Sequence, residues 1–319
     1  MGVLFAKTNV DLPRILCDIK NNNIKHLEFP YHTKDLECCL GELRDALRHN
    51  TSLTEFSIGD LNMSRQLRKI LGDTLAHPAQ SSSSFPLFPS SSSSSSSPQL
   101  SWSPQSFHPR IMYLSLRGLS RNINPWFYGI QRSPCLHSIQ ILSESLDISL
   151  LSPLVDCLYA NKNLKSLTLG TFNRLETFHR FCHCLAEPRA SEALSMSNVG
   201  ISKVGMSVGS EESKGSTESV TPLSLSFLSL SHNPLGDLGI QMFYDICVAP
   251  PEARLRIKLE TLSLIDTNLT NKSLVLLAEM RRISSIQSID IAECYPIEPL
   301  DVNLLNVVRA PLNIRNAEV

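Results

Sequence analysis

The chain has 319 residues with nearly balanced charge, because 29 Lys and Arg stand against 30 Asp and Glu. No global electrostatic field therefore draws it toward a phosphate backbone or an anionic membrane, and we expect neither nucleic acid nor membrane as a partner. Hydrophobic residues make up 42% of the sequence, which suffices for the core of one large domain spanning 1–319.

The cysteines and the hydropathy favour a cytoplasmic protein. Nine cysteines, an odd number, show no spacing typical of a disulfide framework, and most lie in apolar segments, which indicates reduced, buried thiols. The N-terminus lacks a basic start followed by a long apolar run, and no 18 apolar residues occur together. The sequence therefore predicts neither export nor a membrane span.

The first predicted element is an N-terminal capping helix within 9–22. Asp11 suits the N-cap position, and apolar residues follow it at helical spacing at Leu12, Ile15, Leu16 and Ile19. A stack of repeats has an open core at each end, so a helix here is expected to cover the first repeat.

One motif then recurs eight times, with apolar residues at positions one, four and six of a short segment. The steps between successive first residues are 29, 58, 25, 28, 61, 34 and 27, so five lie near one repeat length and two are about twice it. Each motif predicts a strand. The triplets are Ile24/Leu27/Phe29, Leu53/Phe56/Ile58, Ile111/Leu114/Leu116, Leu136/Ile139/Ile141, Leu164/Leu167/Leu169, Leu225/Leu228/Leu230, Leu259/Leu262/Leu264 and Ile286/Ile289/Ile291.

Segments between the motifs have apolar residues at helical spacing. One strand–turn–helix unit cannot bury both of its elements, but units stacked in register share a continuous core. The predicted fold is therefore an α/β solenoid with a curved parallel sheet inside and helices outside. The predicted helical segments begin near Leu36, Leu67, Leu150, Leu175, Leu238 and Leu274.

Each of the two long steps contains a low-complexity segment, at 78–109 and at 188–222. The first holds 15 Ser and 6 Pro in 32 residues, and the second holds 9 Ser and 4 Gly in 35. Such compositions cannot bury enough apolar surface to offset chain entropy, so both are predicted to be disordered insertions. For the second, a degenerate repeat around Ala193–Gly200 is the alternative.

A C-terminal cap is predicted at 295–319. Pro296 and Pro299 interrupt the repeat pattern after the last motif. A terminal helix is then predicted from the apolar residues Leu300, Leu304, Leu305 and Val308.

The segments SLTEFSI, NLKSLTL, FLSLSHNPLGDLG and LETLSLIDTNLT resemble ribonuclease-inhibitor-type leucine-rich repeats, from about Ile24 to Ile291 apart from the insertions. The resemblance implies repeats of about 28 residues with a full helix each, and an Asn or Cys at position nine that satisfies the turn after the strand. Asn233 and Cys294 match this position, and Thr267 is a near substitute. The first five repeats depart from it with His32, Leu61, Leu119, Glu144 and Phe172.

The sequence contains one candidate for metal binding, the segment HRFCHC with His179, Cys182, His183 and Cys184. A four-ligand site needs a second pair at suitable spacing, which the sequence lacks, so we expect a helix that buries its apolar side and carries the histidines at its edge. The sequence has no glycine-rich phosphate loop, HExxH helix, GxSxG elbow or kinase signature. We therefore expect neither an enzyme nor a bound metal or cofactor.

Positions two, three, five, seven and eight of each repeat are expected to face away from the core, on the exposed side of the sheet. Large aromatic residues and Arg are enriched among the anchors of protein interfaces, and acidic residues gather toward the last repeats. The predicted partner-binding residues are Tyr113, Arg117, Phe227, His232, Glu260, Asp266 and Asp290.

These features favour a non-catalytic, monomeric scaffold that binds a protein partner on its concave sheet. The resemblance implies roles such as inhibitor, receptor sensor, adaptor or effector, and a free-standing effector or adaptor fits this chain best. The alternative is a regulator of a small GTPase, because the Ran GTPase-activating protein also resembles this repeat class.

Overall fold

The computed structural model describes residues 4–5, 12–29, 34–59, 63–76, 111–118, 124–143, 147–170, 172–187, 222–292 and 313–314. The predicted insertion 78–109, the second insertion apart from Pro222, and the helix predicted between Leu300 and Val308 lie outside these residues. Four of the position-nine residues of the first five repeats, and Cys294, also lie outside them.

One parallel sheet runs through the described residues, and its ten strands follow one another in chain order. Eight of the strands carry the predicted motifs, and each pairs in parallel with the strand of the next motif. The strands are β1 (Leu4–Phe5), β2 (His26–Phe29), β3 (Glu55–Gly59), β4 (Tyr113–Arg117), β5 (Ser138–Leu142), β6 (Ser166–Gly170), β7 (Leu223–Ser229), β8 (Ile257–Ser263), β9 (Ser288–Ile291) and β10 (Asn313–Ile314).

The core lies on one face of this sheet, as the motif predicts. The first, fourth and sixth residues of all eight motifs are buried, and none is more than 5% exposed. The register aligns the position-four residues in one row, and a slip by one residue would turn that row toward solvent. The row is Leu27, Phe56, Leu114, Ile139, Leu167, Leu228, Leu262 and Ile289.

Helices lie between successive strands and form the second layer. None of those in the described part of the chain is long and apolar enough to cross a membrane. They are α1 (Leu12–Lys20), α2 (Lys34–Glu37), α3 (Leu40–His49), α4 (Arg65–Ala76), α5 (Asn124–Arg132), α6 (Ile148–Ala160), α7 (Leu175–Ala186), α8 (Gly236–Phe243) continued by a π-helix (Tyr244–Val248), α9 (Pro251–Arg256) and α10 (Asn271–Ile283). Parallel strands alternating with helices over a shared core make a leucine-rich-repeat solenoid, and helices are wider than strands, so the sheet takes the inner side of the curve.

Four local features differ from the sequence prediction, and one of them is the short helix α9 (Pro251–Arg256) before β8, which was not predicted. The short edge strands β1 and β10, which pair with β2 and β9, were not predicted. The segment beginning near Leu36 forms two helices, because a turn at Cys38–Cys39 separates α2 from α3. Helix α5 was also missed, since Pro125 and Gly129 obscure its periodicity.

Asparagine side chains join successive repeats at the turns before two of the strands. The Asn50 amide donates to the carbonyl oxygen of Ile19 at 2.6 Å, and the Asn161 amide donates to that of Ile130 at 2.6 Å. Each bond therefore satisfies a carbonyl near the end of the preceding helix, which has no partner within that helix. Both residues stand three before the first Leu of their motif, a signal that the sequence analysis did not use.

Position nine performs the role that the resemblance implies. The Asn233 amide donates to the carbonyl oxygen of Leu169 in the preceding repeat at 2.6 Å, and its side-chain oxygen accepts from the amide of Phe172 at 2.7 Å. Thr267, one repeat later, donates to the carbonyl oxygen of Leu264 at 2.7 Å. Phe172 instead packs its buried ring against Phe178 and Phe181 of α7.

An acidic side chain of the preceding repeat caps the start of helix α10. Asp237 accepts hydrogen bonds from the Thr270 amide at 2.9 Å, from the Thr270 hydroxyl at 2.6 Å and from the Ser273 hydroxyl at 2.5 Å. Burial disfavours the charged carboxylate, but the bonds from Ser273 and Thr270 outweigh it and lower the pKa of Asp237. The ionised carboxylate therefore links two repeats.

Helices α4 and α5 lie unusually close together. A Cβ atom added at Gly72 would lie 2.1 Å from the carbonyl oxygen of Pro125, and one added at Gly129 would lie 2.5 Å from that of Gly72. These distances are far below a van der Waals contact, so each of the two positions accommodates only glycine at this separation of the helices.

Candidate functional site on the exposed face of the sheet

The sheet register aligns the two predicted aromatic anchors. Tyr113 on β4 pairs with Ser138, Ser138 with Ser166, and Ser166 with Phe227 on β7. The two aromatic residues therefore occupy the same position in their repeats and lie three strand spacings apart, about 14 Å. They were expected to be exposed, but both are half-buried.

Tyr113 is held by the neighbouring strand. Its hydroxyl donates to the side-chain oxygen of Gln140 at 2.5 Å, and Ser115 donates to the same oxygen at 3.1 Å. Burial raises the pKa of Tyr113 above its ordinary value, so the phenol remains a donor at neutral pH. This predicted anchor is therefore held in one position, and its hydroxyl is already bonded within the chain.

Arg117 forms an ion pair that crosses a strand. Its Nη1 atom lies 3.3 Å from a carboxylate oxygen of Glu28 on β2, although Arg117 belongs to β4. The residue beside Arg117 on the intervening strand is Gly59, which has no side chain to block the path. Arg117 is therefore partly neutralised within the chain, while 40% of its side chain stays exposed.

A second pair of side chains lies beside the Arg117–Glu28 ion pair. The Nδ1 atom of His26 on β2 lies 2.6 Å from the carboxylate of Glu55 on β3. Two buried polar atoms in this region, the Ser57 hydroxyl and Arg117 Nε, have no hydrogen-bond partner in the described part of the chain. The first four motif strands therefore present a polar surface whose charges are mostly paired internally.

Phe227 stands among small hydroxyl side chains. Its strand neighbours in the register are Ser166 and Thr261. Because these side chains are short, nothing of comparable size flanks the ring along its row on either adjacent strand. The ring is therefore the largest side chain of its row on β6, β7 and β8.

Buried serines support the surface next to Phe227. The Ser229 hydroxyl donates to the Ser231 hydroxyl at 3.1 Å, and Ser231 and Ser263 are hydrogen-bonded at 3.0 Å. All three are less than 9% exposed, so this network fixes β7 against β8. Ser229 and Ser231 stand at positions five and seven, which were expected to face away from the core, but hydrogen bonding between β7 and β8 keeps both of them buried.

The predicted acidic residues lie on the last two motif strands and, for Asp266, in the turn after β8. Glu260 and Asp266 are exposed and Asp290 is half-buried. The His232 ring lies 3.2 Å from the Asp266 carboxylate, and both residues have positive φ, 59° and 52°, at the equivalent turn of successive repeats. Lys258, also exposed, precedes Glu260 by two residues on β8 and offsets part of the negative charge.

Helix α7 separates the residues of the HRFCHC segment. His179 and His183 are exposed with their rings 4.6 Å apart, whereas Cys182 and Cys184 are both buried. Burial, and then the adjacent Cys247 thiol, raise the pKa of Cys182, so this thiol stays protonated. In the described part of the chain no three His, Cys, Asp or Glu residues are grouped as metal ligands.

The cysteines only partly match the expectation of burial. Four are buried, Cys135 and Cys39 are half-buried, and Cys17 and Cys38 are exposed. None of these eight is in a disulfide bond. Apolar residues nearby in the sequence therefore did not predict the burial of Cys17 and Cys38 correctly.

No protein-family model matches the sequence, and no curated protein matches it. A search of solved structures finds similarity to the crystal structure of a TLR13–ssRNA13 complex, at 13% sequence identity and a TM-score of 0.36. The match covers 92% of this chain and 32% of that chain, so this chain spans about a third of the length of the protein it matches. A likeness of this size says nothing about what this chain binds.

Proposed function

We propose that this chain is a non-catalytic interaction scaffold of the ribonuclease-inhibitor type that binds a protein partner on the exposed face of its sheet. The observation that carries the proposal is Phe227, a half-buried aromatic ring on a rigid strand with only small hydroxyl residues beside it in the row. An aromatic side chain held by a strand loses little conformational freedom on binding, so its buried area contributes to affinity.

The proposed contact surface extends from Phe227 in both directions along the sheet. Toward the N-terminus it includes the half-buried Tyr113 and the partly exposed Arg117, which are joined to Gln140 and Glu28 within the chain. Toward the C-terminus, it includes the charged group formed by His232, Glu260, Asp266 and Asp290. A partner that touches both Tyr113 and Phe227 would span about 14 Å, which is within an ordinary interface.

The proposed partner is a protein rather than a nucleic acid. The total charge is balanced, with 29 basic and 30 acidic residues, and the proposed surface carries three carboxylates around its C-terminal end. Such a surface repels a phosphate backbone. A cytoplasmic, monomeric effector or adaptor is the role that we propose for this scaffold.

The test is affinity measurement with a partner captured from cell extract and then purified. Phe227→Ala and Tyr113→Ala are expected to weaken binding by about 1 to 3 kcal/mol each. Neither residue belongs to the buried motif, so the melting temperature should fall much less than after truncation of a core leucine, although Tyr113→Ala also removes the hydrogen bond to Gln140. Val275→Ala removes an apolar side chain that is 74% exposed on the helix layer and is the matched control, with unchanged affinity expected.

Leu228→Ala serves as the comparison for indirect effects. Leu228 is 2% exposed in the core, so its truncation is expected to cost about 2 to 5 kcal/mol of folding free energy and to reduce binding only through unfolding. Unchanged affinity in the double variant Tyr113→Ala with Phe227→Ala would show that the partner binds elsewhere.

A further inference from the structure

An open cleft of about 630 Å³ lies on the helix layer, between α4 and α5. It is separate from the sheet face, and its volume falls in the range of small-molecule sites. Its lining residues are Arg65, Lys69 and Asp73 from α4 and Asn124, Pro125 and Tyr128 from α5.

The two walls of the cleft are fixed by direct backbone contact. Gly72 lies next to Asp73 in α4, and its Cα faces the backbone of Pro125, so closely that a Cβ there would be 2.1 Å from the Pro125 carbonyl oxygen. Asn124 precedes Pro125, and Tyr128 is one turn further along α5. The side chains that line the cleft therefore project from two helices whose spacing cannot easily change.

The cleft is basic, because it has two cations and one carboxylate. Arg65 and Lys69 are four residues apart on α4 and so lie on the same side of the helix. Both are exposed, and neither has a salt bridge or side-chain hydrogen bond among the residues that the structure describes. One wall of the cleft therefore carries an unpaired guanidinium and an unpaired ammonium group. The ligand that complements this wall is an anion.

The opposite wall supplies a polarised hydrogen-bond donor. Arg132 donates from Nη1 to the Tyr128 hydroxyl at 3.0 Å, and its guanidinium carbon lies 4.6 Å from the centre of the Tyr128 ring. Because the hydroxyl oxygen accepts this bond, its own hydrogen remains available to a ligand in the cleft. The nearby positive charge of Arg132 adds to the attraction for an anion.

We propose that this cleft binds the phosphate group of a phosphate monoester. Arg65 and Lys69 contact the phosphate oxygens, Tyr128 donates to one of them, and Asp73 accepts a hydrogen bond from a hydroxyl or amide group next to the phosphate. A phosphate monoester carries a charge of about −1.5 to −2 at neutral pH. Arg65, Lys69 and the nearby Arg132, offset by Asp73, leave about two positive charges at the cleft, which match a phosphate monoester better than a singly charged carboxylate. A small phosphorylated molecule and a phosphoserine side chain share this chemistry.

Titration calorimetry on the full chain tests the proposal, with inorganic phosphate, phosphoserine and a short peptide containing one phosphoserine as probes. At least one probe is expected to bind, and the unphosphorylated peptide is not. Arg65→Gln with Lys69→Gln should weaken binding by at least about tenfold, because two charge-assisted bonds are lost. The matched control is Arg48→Gln with Arg180→Gln, which removes two exposed cations from other helices and should leave binding unchanged.

Tyr128→Phe is a milder change, because it keeps the aromatic ring beneath Arg132 and removes only the hydroxyl. The affinity for the phosphate probes should fall several-fold. Tighter binding of the peptide than of phosphoserine identifies a phosphorylated protein segment as the ligand, and equal binding identifies a small molecule. The proposal is overturned if no probe binds at millimolar concentration, or if the cleft variant and the control variant lose affinity equally. None of these variants touches the sheet face, so this result is independent of the proposed protein partner.

Discussion

Gly72→Ala tests whether the direct contact between α4 and α5, two neighbouring helices of the outer layer, stabilises the fold. The added Cβ would lie 2.1 Å from the Pro125 carbonyl oxygen, and ordinary contact begins at 3.4 Å, so the helices must separate by about 1.3 Å. Overpacking of this kind costs about 1 to 3 kcal/mol. The better helix propensity of alanine offsets about 1 kcal/mol of this cost. For a contact this close we expect the free energy of unfolding to fall by about 1 to 2 kcal/mol in total.

Urea denaturation followed by circular dichroism measures this change as a shift of the midpoint at constant slope. Gly41→Ala is the matched control, because Gly41 lies in α3 with nothing within 4 Å of an added Cβ. It should be neutral or stabilising by up to about 1 kcal/mol, since only the helix propensity changes. If both variants shift the midpoint in the same direction and by the same amount, the close approach of α4 and α5 is not a feature of the folded protein.

Three further changes probe the contacts between repeats and the state of the thiols. Asn161→Ala should lower the free energy of unfolding by about 1 to 3 kcal/mol, measured by urea denaturation, because the Ser133 carbonyl loses its side-chain donor and the Ile130 carbonyl keeps only the 3.4 Å bond from the Ser133 amide. Asp237→Asn should lower the melting temperature at pH 7. Folding lowers the pKa of Asp237, so the stability that its ionised carboxylate contributes is present above the pKa of the unfolded chain and is lost as the pH falls. The difference in melting temperature between variant and wild type should therefore shrink below about pH 4. A difference that stays constant with pH would contradict the capping role. A thiol reagent should modify the exposed Cys17 and Cys38 in the native protein but reach the buried Cys157 only after unfolding. Burial raises the pKa of Cys157 and blocks access of the reagent to its thiol. Mass spectrometry of digested fragments measures the rates, and equal rates at the three cysteines would exclude this arrangement.

The repeat architecture could be predicted because its signal is local. Positions one, four and six lie within six consecutive residues, so a single motif reveals which side chains of one strand must be buried. All eight triplets are buried, and their strands pair in parallel in chain order. The turn residue Asn233 could also be predicted, since the motif fixes its distance from the strand.

Elements without a repeated signal could not be found in this way. β1 and β10 have two residues each, too few to show any periodicity, and they form strands only because a neighbouring strand offers an edge. Helix α5 buries Trp126 completely, yet a proline and a glycine interrupt its pattern. In both cases the packing surface of the neighbouring repeat selects the conformation.

The candidate sites depended most on tertiary structure. Sequence spacing identified Tyr113 and Phe227 as aromatic residues facing away from the core, but only the register shows that they share a row and that Tyr113 is bonded to Gln140. The ion pair of Arg117 with Glu28 reaches across β3, where the register places Gly59 beside Arg117 and the small Ser57 beside Glu28.

The basic cleft is the clearest case of a feature that the sequence did not reveal. Its two walls, α4 and α5, are separated in the chain by the whole of 77–123, and the contact of Gly72 with Pro125 brings Arg65 and Tyr128 to one cleft. Periodicity within one segment determines which face of a strand or helix is buried, because it depends only on the geometry of that element. Which polar side chains of different repeats meet on the opposite faces depends on the register and the helix spacing, and only the packed solenoid sets these.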